Sequence, residues 1–270
     1  MRSPSGLRPR IREGIPPFAV VLAAIGAALI ILPLVALLWR GLGSDVWRTL
    51  ADPAVRTALW LSLVCSLSAT LCSLVFGLPL AWLQARVEFR GRALLRGLTM
   101  LPIVLPPVVG GVALLLAFGR RGWIGQWLDQ AFGIRLPFTI AGAVMAETFV
   151  AMPFLVLTVE GALRSMDRRL EDAARTLGAG RWTVLWRVTL PSIRPSLLAG
   201  AVLCWARALG EFGATITFAG NFPGRTQTAP LAVYLALEAN PDAGILLSIV
   251  LLSLSLTVLI GLRRHWMERP

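Results

Sequence analysis

The chain has 270 residues, of which 56% are apolar and only 15% are charged, and its formal net charge is +12. Because a soluble domain carries about a quarter charged residues, this composition predicts an integral membrane protein. All of the basic side chains are arginine, and the absence of lysine excludes a phosphate-binding P-loop, which needs Gly-Lys-Ser/Thr. His265 is the only histidine, so we expect no metal site, no cofactor and no histidine-based catalysis.

Six apolar segments predict transmembrane helices at roughly 17–39, 57–85, 98–118, 138–160, 196–219 and 243–262. The first segment follows a basic head, and its length of about 23 residues suffices to cross a hydrocarbon core of about 30 Å. We therefore expect it to be a retained helix and not a cleaved signal peptide. The predicted organisation is a tail at 1–16, a transmembrane domain at 17–262 and a second tail at 263–270.

The distribution of arginine between the loops predicts the orientation of the chain. Eighteen arginines lie in the N-terminal tail, the 86–97 loop, the 161–195 loop and the C-terminal tail, against seven in the three alternate loops. Basic residues accumulate on the cytoplasmic side of membrane proteins. Both termini are therefore predicted to be cytoplasmic, and the positive charge reflects membrane topology, with no nucleic acid as partner.

Glycine and proline interrupt several of the predicted spans. The third span contains Pro102, Pro106, Pro107, Gly110 and Gly111. Proline leaves backbone carbonyls without donors, which is tolerated at membrane depth only inside protein or beside a polar cavity. These breaks favour a bundle that moves and lines a pathway over an inert anchor.

Polar residues in the fourth and fifth spans are candidates for the lining of such a pathway. Arg207 and Glu211 are four residues apart, and on a helix they would share one face. Two interpretations stay open for them: a mutually satisfied structural pair, or a polar lining that offers positive potential to an anion. Glu147 in the fourth span is a third candidate for the lining, with buried hydrogen bonding as its alternative interpretation. The glycines beside Glu211 permit close helix approach, and nearby hydroxyls suit an oxyanion; these further gate candidates are Gly210, Gly213, Thr215 and Thr217.

The 161–195 loop predicts a hairpin of two short amphipathic helices. Asp167 is a candidate N-cap, and Gly178 is placed to end the first helix. The first helix carries an apolar stripe at Leu170, Ala173, Ala174 and Leu177, and the second repeats that spacing at Trp182, Leu185, Trp186 and Thr189. Pro191 and Pro195 are expected to end the second helix before the next span. From the residues alone, docking to a protein and binding to the lipid surface remain near-equal alternatives for the first helix, whereas lipid binding is favoured for the second helix with its two tryptophans.

The spacing within this hairpin resembles a known motif. The run Asp172-Ala173-Ala174-x3-Gly178-x9-Val188-x-Leu190-Pro191 is similar to the EAA motif of permeases of binding-protein-dependent ABC importers. Asp172 and Val188 replace the glutamate and the isoleucine of that motif. The resemblance implies an all-α membrane protein of about six transmembrane helices, a MetI-like ABC permease bundle, with a cytoplasmic coupling helix. The coupling residues it implies are Glu171, Asp172, Ala173, Ala174, Leu177, Gly178 and Ala179.

A second resemblance covers the fifth span and the loop after it. The run from Arg207 to Thr215 and the run from Gly224 to Leu231 resemble the molybdate branch of the family, and the sulfate/thiosulfate branch shares much of both. The resemblance implies import of molybdate, with tungstate not separable from it and sulfate as the alternative. It also implies a homodimer in the cell membrane, two separate ATPase subunits and a periplasmic or lipid-anchored oxyanion-binding protein. An ion-coupled secondary transporter is the alternative from another class, although we find no internal repeat that would favour one.

Overall fold

The computed structural model describes residues 17–41 and 50–267, with side chains up to residue 257. The predicted tail 1–16 lies outside the described residues, as do the last three residues of the predicted tail 263–270. Every regular element in the described ranges is a helix, which confirms the all-α prediction. The chain divides into two compact units, residues 1–44 and 45–270.

The first unit contains one described helix, α1, which spans Pro17–Gly41. It is 25 residues long, and the mean hydropathy of its most apolar window is 2.9. None of that window is buried, and side chains such as Phe18 and Leu29 are largely exposed. A helix that is apolar on all sides and uncovered by its own chain suits a lipid environment. By length and composition α1 agrees with the span predicted at 17–39.

The second unit contains the remaining described helices. They are α2 (Pro53–Arg86), α3 (Arg92–Val104), α4 (Pro107–Phe118), α5 (Gly125–Phe132), α6 (Ile140–Ser165), α7 (Arg169–Thr176), α8 (Arg181–Val184), α9 (Leu190–Leu209), α10 (Gly213–Ala219), α11 (Ala229–Ala239) and α12 (Pro241–Met267). One π-helical turn, Leu185–Thr189, joins α8 to α9.

The core of this unit lies between α2, α6 and α9, and it is built largely from small side chains. Ala69, Ala81 and Ala85 of α2 pack with buried leucine and valine of α6, and with Cys204 and Ala208 of α9. Small residues let helix backbones approach closely in a membrane, where dispersion contacts replace the hydrophobic effect as the driving force. Gly77 is an example, since a Cβ at that position would lie 3.1 Å from the Met152 side chain.

The structure divides the third predicted span into two helices. α3 ends at Val104 and α4 begins at Pro107. Pro106 and Pro107 supply no amide hydrogen, so the ladder of α3 cannot continue through them. α3 also begins at Arg92, inside the predicted 86–97 loop, so that loop is shorter than expected.

The fifth predicted span is divided as well, and its helical segment begins earlier than predicted. α9 ends at Leu209 and α10 begins at Gly213, so the expected continuous helix over 196–219 is wrong. At the other end, the expectation that Pro191 and Pro195 stop the hairpin helix is also wrong, because one apolar helical segment runs over Arg181–Leu209. The π turn makes this possible: the Leu190 amide donates to the Leu185 carbonyl five residues back, which accommodates the missing donor of Pro191.

The three remaining predicted spans, 57–85, 138–160 and 243–262, each correspond to a single helix. α2 and α6 contain the segments expected at 57–85 and 138–160, with boundaries displaced by a few residues, and both are long and apolar enough to cross a membrane. α12 continues to Met267, so the predicted C-terminal tail begins inside a helix. α5 and α11 were not predicted; α11 is attached to α2 by the Ala229 amide, which donates to the Ser62 hydroxyl at 2.6 Å.

Candidate functional site

The 161–195 hairpin has a fixed backbone conformation. The Asp167 carboxylate accepts from the Arg169 amide at 3.0 Å and caps α7, as its position predicts. Gly178 follows α7 with a φ of +85°, a left-handed conformation that glycine adopts without strain. The Ala179 amide then donates to the Ala174 carbonyl at 3.0 Å and closes the end of the helix. The predicted helix end at Gly178 is therefore confirmed.

Glu171 attaches the hairpin to the transmembrane bundle. Its carboxylate pairs with Arg86 at the end of α2, with Nη2 and Oε1 at 3.2 Å, and both side chains are 8% exposed. The same Oε1 accepts from the Thr189 hydroxyl at 2.8 Å. Three segments distant in sequence thus meet at one carboxylate. Of the predicted coupling residues, Glu171 points into the protein, so its role there is to position the hairpin.

The opposite face of the hairpin is exposed and partly apolar. Leu177 has 89% of its surface exposed, and Leu170 on the same helix has 52%. Asp172, Ala173 and Gly178 are also exposed, whereas Ala174 and Ala179 are partly buried. A leucine at the tip of a rigid, charged hairpin is uncommon on a surface that contacts only water. This face therefore has the form of a docking surface.

The second segment of the hairpin adds two large apolar side chains. Trp182 and Trp186 are 74% and 65% exposed, whereas Thr189 on the same predicted stripe is buried. Tryptophan is favoured both at membrane interfaces and at protein contacts. Of the residues that share this spacing, the tryptophans lie on the exposed side of the segment, whereas Thr189 lies inside and its hydroxyl donates to Glu171.

The two broken spans meet close to their breaks. A Cβ at Gly213, the first residue of α10, would lie 2.8 Å from the Pro107 Cβ at the start of α4. One turn further along α4, a Cβ at Gly111 would lie 2.5 Å from the Thr217 Cβ. Glycine is therefore required at both positions by the approach of the facing helix. This contact brings together the starts of α4 and α10, and with them the two breaks that precede these helices.

Arg207 and Glu211 are paired beside this contact, as predicted. Arg207 Nη1 contacts Glu211 Oε2, and the Arg207 side chain is 29% exposed while that of Glu211 is 1% exposed. Glu211 lies beyond the end of α9, and its Oε1 accepts from the Ala214 amide at 2.8 Å. The carboxylate therefore also accepts from a backbone amide at the start of α10. The predicted spacing of Arg207 and Glu211 on one helix face did not indicate this second contact.

The other predicted gate residues occupy different environments. Gly210 is exposed at the break, and the Thr217 hydroxyl donates to the Gly213 carbonyl at 2.8 Å within its own helix. The hydroxyl of Thr215 is buried without a hydrogen-bond partner, and so is Oε2 of Glu147 on the facing helix α6. The residues predicted as a lining thus surround one break, with the arginine as the charged group that remains partly exposed.

A separate charged cluster orders the segment around α5. The Asp129 carboxylate accepts from Arg135 at 2.8 Å and from Arg120 at 2.9 Å. These two hydrogen bonds, first that of Arg135 and then that of Arg120, hold the pKa of Asp129 below its usual range. The cluster fixes a surface on the loop that the arginine distribution assigns to the opposite side from the hairpin.

Two features of the site were not found from the sequence. Arg86 and Thr189 have no motif of their own, and their role depends on contacts across 85 and 18 positions of the chain.

No group of three or more His, Cys, Asp and Glu side chains able to hold a metal ion occurs among the described residues. The sequence-based expectation of no metal and no cofactor remains a prediction.

Comparison with known proteins identifies the family. Residues 73–269 match the family described as "Binding-protein-dependent transport system inner membrane component". The chain is 44% identical over 247 residues to the "Molybdenum transport system permease protein ModB" of Mycobacterium bovis. The matched region covers 92% of this chain and 93% of the relative. It is 45% identical over 220 residues to the protein of that name from Escherichia coli, with coverage of 82% and 96%.

More distant relatives and solved structures agree with this result. The "Probable sulfate transport system permease protein cysT" of Chlorokybus atmophyticus is 36% identical over 238 residues, covering 87% of this chain and 83% of the relative. A chain of a bacterial alginate ABC transporter, crystallised with its alginate-bound periplasmic protein, superimposes with a TM-score of 0.74 at 19% identity, covering 91% of each chain. The fold is therefore that of an ABC transporter permease, and the chain belongs to the binding-protein-dependent transport system inner membrane components.

Proposed function

We propose that this chain is the membrane-spanning subunit of an ATP-driven importer that carries molybdate, and tungstate with it, across the cell membrane. The relatives named for molybdenum transport are 44–45% identical over most of the chain, whereas relatives named for sulfate transport are 34–39% identical. This difference favours molybdate over sulfate as the substrate. The chain itself is a transport subunit and not an enzyme.

The observation that carries the coupling mechanism is the exposed tip of a hairpin that is fixed at its base. Leu177 is exposed at the tip, while Glu171 at the base is held by Arg86 and Thr189. A rigid connection of this kind transmits displacement of the tip to the ends of α2 and α9. We propose that an ATPase subunit binds the tip, and that ATP-driven closure of two such subunits biases the bundle between two conformations.

The contact between the broken helices is the proposed gate. Each break leaves backbone that can change conformation without disrupting a long hydrogen-bond ladder, and the partly exposed Arg207 offers positive charge to an oxyanion there. Alternating access then consists of opening this contact first to one side of the membrane and then to the other. Two copies of the chain, each contributing α4 and α10, form the proposed pathway, and a periplasmic or lipid-anchored protein delivers the anion to it.

The orientation in this proposal follows the distribution of arginine, with the hairpin and both termini in the cytoplasm.

Glycine at position 178 is central to the docking surface, because a larger residue would be strained at a φ of +85° and would project from the tip. We expect Gly178→Arg to abolish ATP-linked uptake while the protein still inserts into the membrane.

The direct test is reconstitution of the purified chain in proteoliposomes, with and without its ATPase and binding-protein partners. We expect uptake of labelled molybdate only with all partners and ATP, with competition by tungstate and weaker competition by sulfate. Uptake by the chain alone, driven by an ion gradient, would identify a secondary transporter. Stronger competition by sulfate than by tungstate would instead assign the chain to sulfate transport.

The role of Arg207 needs a double substitution. Arg207→Met should destabilise the bundle, because it leaves the buried Glu211 carboxylate without its cation. Arg207→Met combined with Glu211→Gln should recover thermal stability. If the double variant also recovers molybdate uptake, the pair is structural only and the gate role assigned to Arg207 is wrong.

A further inference from the structure

Three arginines surround a cavity at the end of the bundle that carries the hairpin. Arg92 and Arg96 lie in the first turns of α3, and Arg164 lies in the last turn of α6. Together with Ala93, Gly97 and Met100 they line a cavity of about 360 Å³ that is open to the surface. Arg86, which pairs with Glu171 of the hairpin, lies two residues beyond Gln84, whose carbonyl accepts from Arg92 at 2.8 Å.

The cavity has more positive than negative charge. Glu160 pairs with Arg96 at 3.2 Å and with Arg164 at 2.8 Å, and its side chain is 1% exposed. Arg92 has no carboxylate partner among the described residues; its described contact is the Gln84 carbonyl. Two of the three guanidinium groups share one carboxylate and the third has none, which leaves an excess of two positive charges around the cavity.

The arrangement of the arginines is suited to an anion with several oxygens. The Gln84 carbonyl accepts a hydrogen bond from Nε of Arg92. Glu160 lies within ion-pair distance of Nε of Arg96 and one Nη of Arg164, although neither of its oxygens makes a hydrogen bond within the described part of the chain. Each guanidinium has five N–H donors, so most of these donors are not used by the described contacts. Guanidinium groups bind the oxygens of phosphate-like anions through paired hydrogen bonds. A tetrahedral oxyanion is small enough for the cavity and would balance its excess charge.

We propose that this cavity is a binding site for a tetrahedral oxyanion, distinct from the gate at Arg207. Two sources have that chemistry: the phosphate of an anionic lipid headgroup, and a free inorganic oxyanion such as the transported substrate. The site is close to Leu94 and Leu98 of α3, two exposed apolar side chains that would suit contact with lipid, and it is also open to the surface. The experiment below distinguishes the two sources, and it needs neither transport nor an ATPase.

The test measures binding to the full-length chain in lipid nanodiscs. In one arm the nanodiscs contain only phosphatidylcholine, and molybdate or inorganic phosphate is titrated by equilibrium dialysis. In the other arm they contain phosphatidylglycerol, and native mass spectrometry counts the lipids that the protein retains. Saturable binding in the first arm identifies a free oxyanion, and retention of phosphatidylglycerol in the second identifies a headgroup.

Gly97 provides a matched pair of variants that removes no existing contact. A Cβ at Gly97 would meet nothing within 4 Å, so a side chain fits there. Gly97→Glu adds a carboxylate at the wall of the cavity, and Gly97→Gln adds the same bulk without charge. We expect Gly97→Glu to weaken binding by about tenfold or more relative to Gly97→Gln, because a like charge a few ångströms away opposes the anion.

A second comparison uses the arginines themselves. Arg92→Gln should reduce binding by a similar factor and leaves the Glu160 pairs intact, whereas Arg90→Gln, a change at an exposed neighbour outside the cavity lining, should have no effect. Absence of binding in both arms would overturn the proposal. It would be overturned equally by the same affinity in Gly97→Glu and Gly97→Gln, or by equal losses in Arg92→Gln and Arg90→Gln.

Discussion

The attachment of the hairpin through Glu171 leads to a quantitative prediction. Glu171→Gln removes the negative charge but keeps an oxygen that can accept from the Thr189 hydroxyl. Arg86 then remains 92% buried at its side chain without a counter-ion, and its Nε already has no hydrogen-bond partner. Removing one member of a buried ion pair costs about 3–5 kcal/mol. We take the lower value, because the side chains keep 8% of their surface in contact with solvent.

A cost of about 3 kcal/mol corresponds to about a hundredfold shift in an equilibrium constant. We expect the shift to appear as local opening of the hairpin, because the charge pair joins that segment to α2 and does not lie in the α2–α6–α9 core. Hydrogen exchange of the amides in α7, α8 and the π turn should accelerate by up to that factor. Exchange in the middle of α6 should remain at the native rate.

Asp172→Asn is the matched control for this prediction. Asp172 is adjacent to Glu171 and pairs with Arg175 at 3.0 Å, but its side chain is 65% exposed. Exposed ion pairs contribute about 0–1 kcal/mol, so hydrogen exchange should change little. If Asp172→Asn accelerates exchange as much as Glu171→Gln does, burial is not what gives the Glu171 pair its strength, and the reasoning fails.

The double variant Arg86→Gln with Glu171→Gln separates charge from packing. Replacing both members by neutral groups of similar size removes the stranded cation, and such replacements are often close to neutral in stability. We expect exchange in the hairpin to return to within about tenfold of the native rate. Molybdate uptake measured on the same three variants should follow hairpin exchange if the attachment transmits the motion; uptake that is unchanged in Glu171→Gln would contradict that role.

Three further predictions concern the hairpin tip, the gate and the outer cluster. Leu177→Ala should change the free energy of unfolding by no more than about 0.5 kcal/mol, because the side chain is 89% exposed, yet it should weaken copurification of the ATPase subunit; unchanged copurification would exclude Leu177 from the contact. Gly111→Ala should destabilise the protein by about 1–3 kcal/mol, because the new Cβ would lie 2.5 Å from the Thr217 Cβ. Gly161→Ala is the control: its Cβ would meet nothing within 4 Å, so this change should not destabilise the protein in the same way. Thermal unfolding of the two variants measures the difference. The pKa of Asp129 is lower in the folded protein than the ordinary aspartate value of 3.8, so its bonds to Arg135 and Arg120 are fully present above pH 3.8 and are lost as the pH falls through the folded pKa. Amide exchange around α5, corrected for its intrinsic pH dependence, should increase below the folded pKa. Asp129→Asn should remove this pH dependence.

The hairpin shows how far local sequence determines structure. The position of Gly178 and the cap at Asp167 depend on residues within one or two helical turns, and spacing alone predicts them. The inward position of Glu171 depends on Arg86, 85 positions away, and no periodicity within the hairpin could indicate it. The buried position of Thr189 has the same reason, because it depends on the π turn and on the Glu171 carboxylate and not on the spacing that Thr189 shares with the tryptophans.

The transmembrane spans show the same difference between what local sequence determines and what distant contacts determine. Composition, apolar length and the prolines at 106 and 107 are properties of the chain itself, and they determined that the protein lies in the membrane, that it is helical and that some of its helices are broken. Where those breaks meet, and which arginines share Glu160, depends on contacts between helices that are distant in sequence. Hydropathy and backbone geometry act over neighbouring residues, whereas close packing and charge pairing act over a few ångströms of space. The sequence alone therefore determined the elements and their environment, and only the tertiary structure decided which of their polar groups meet.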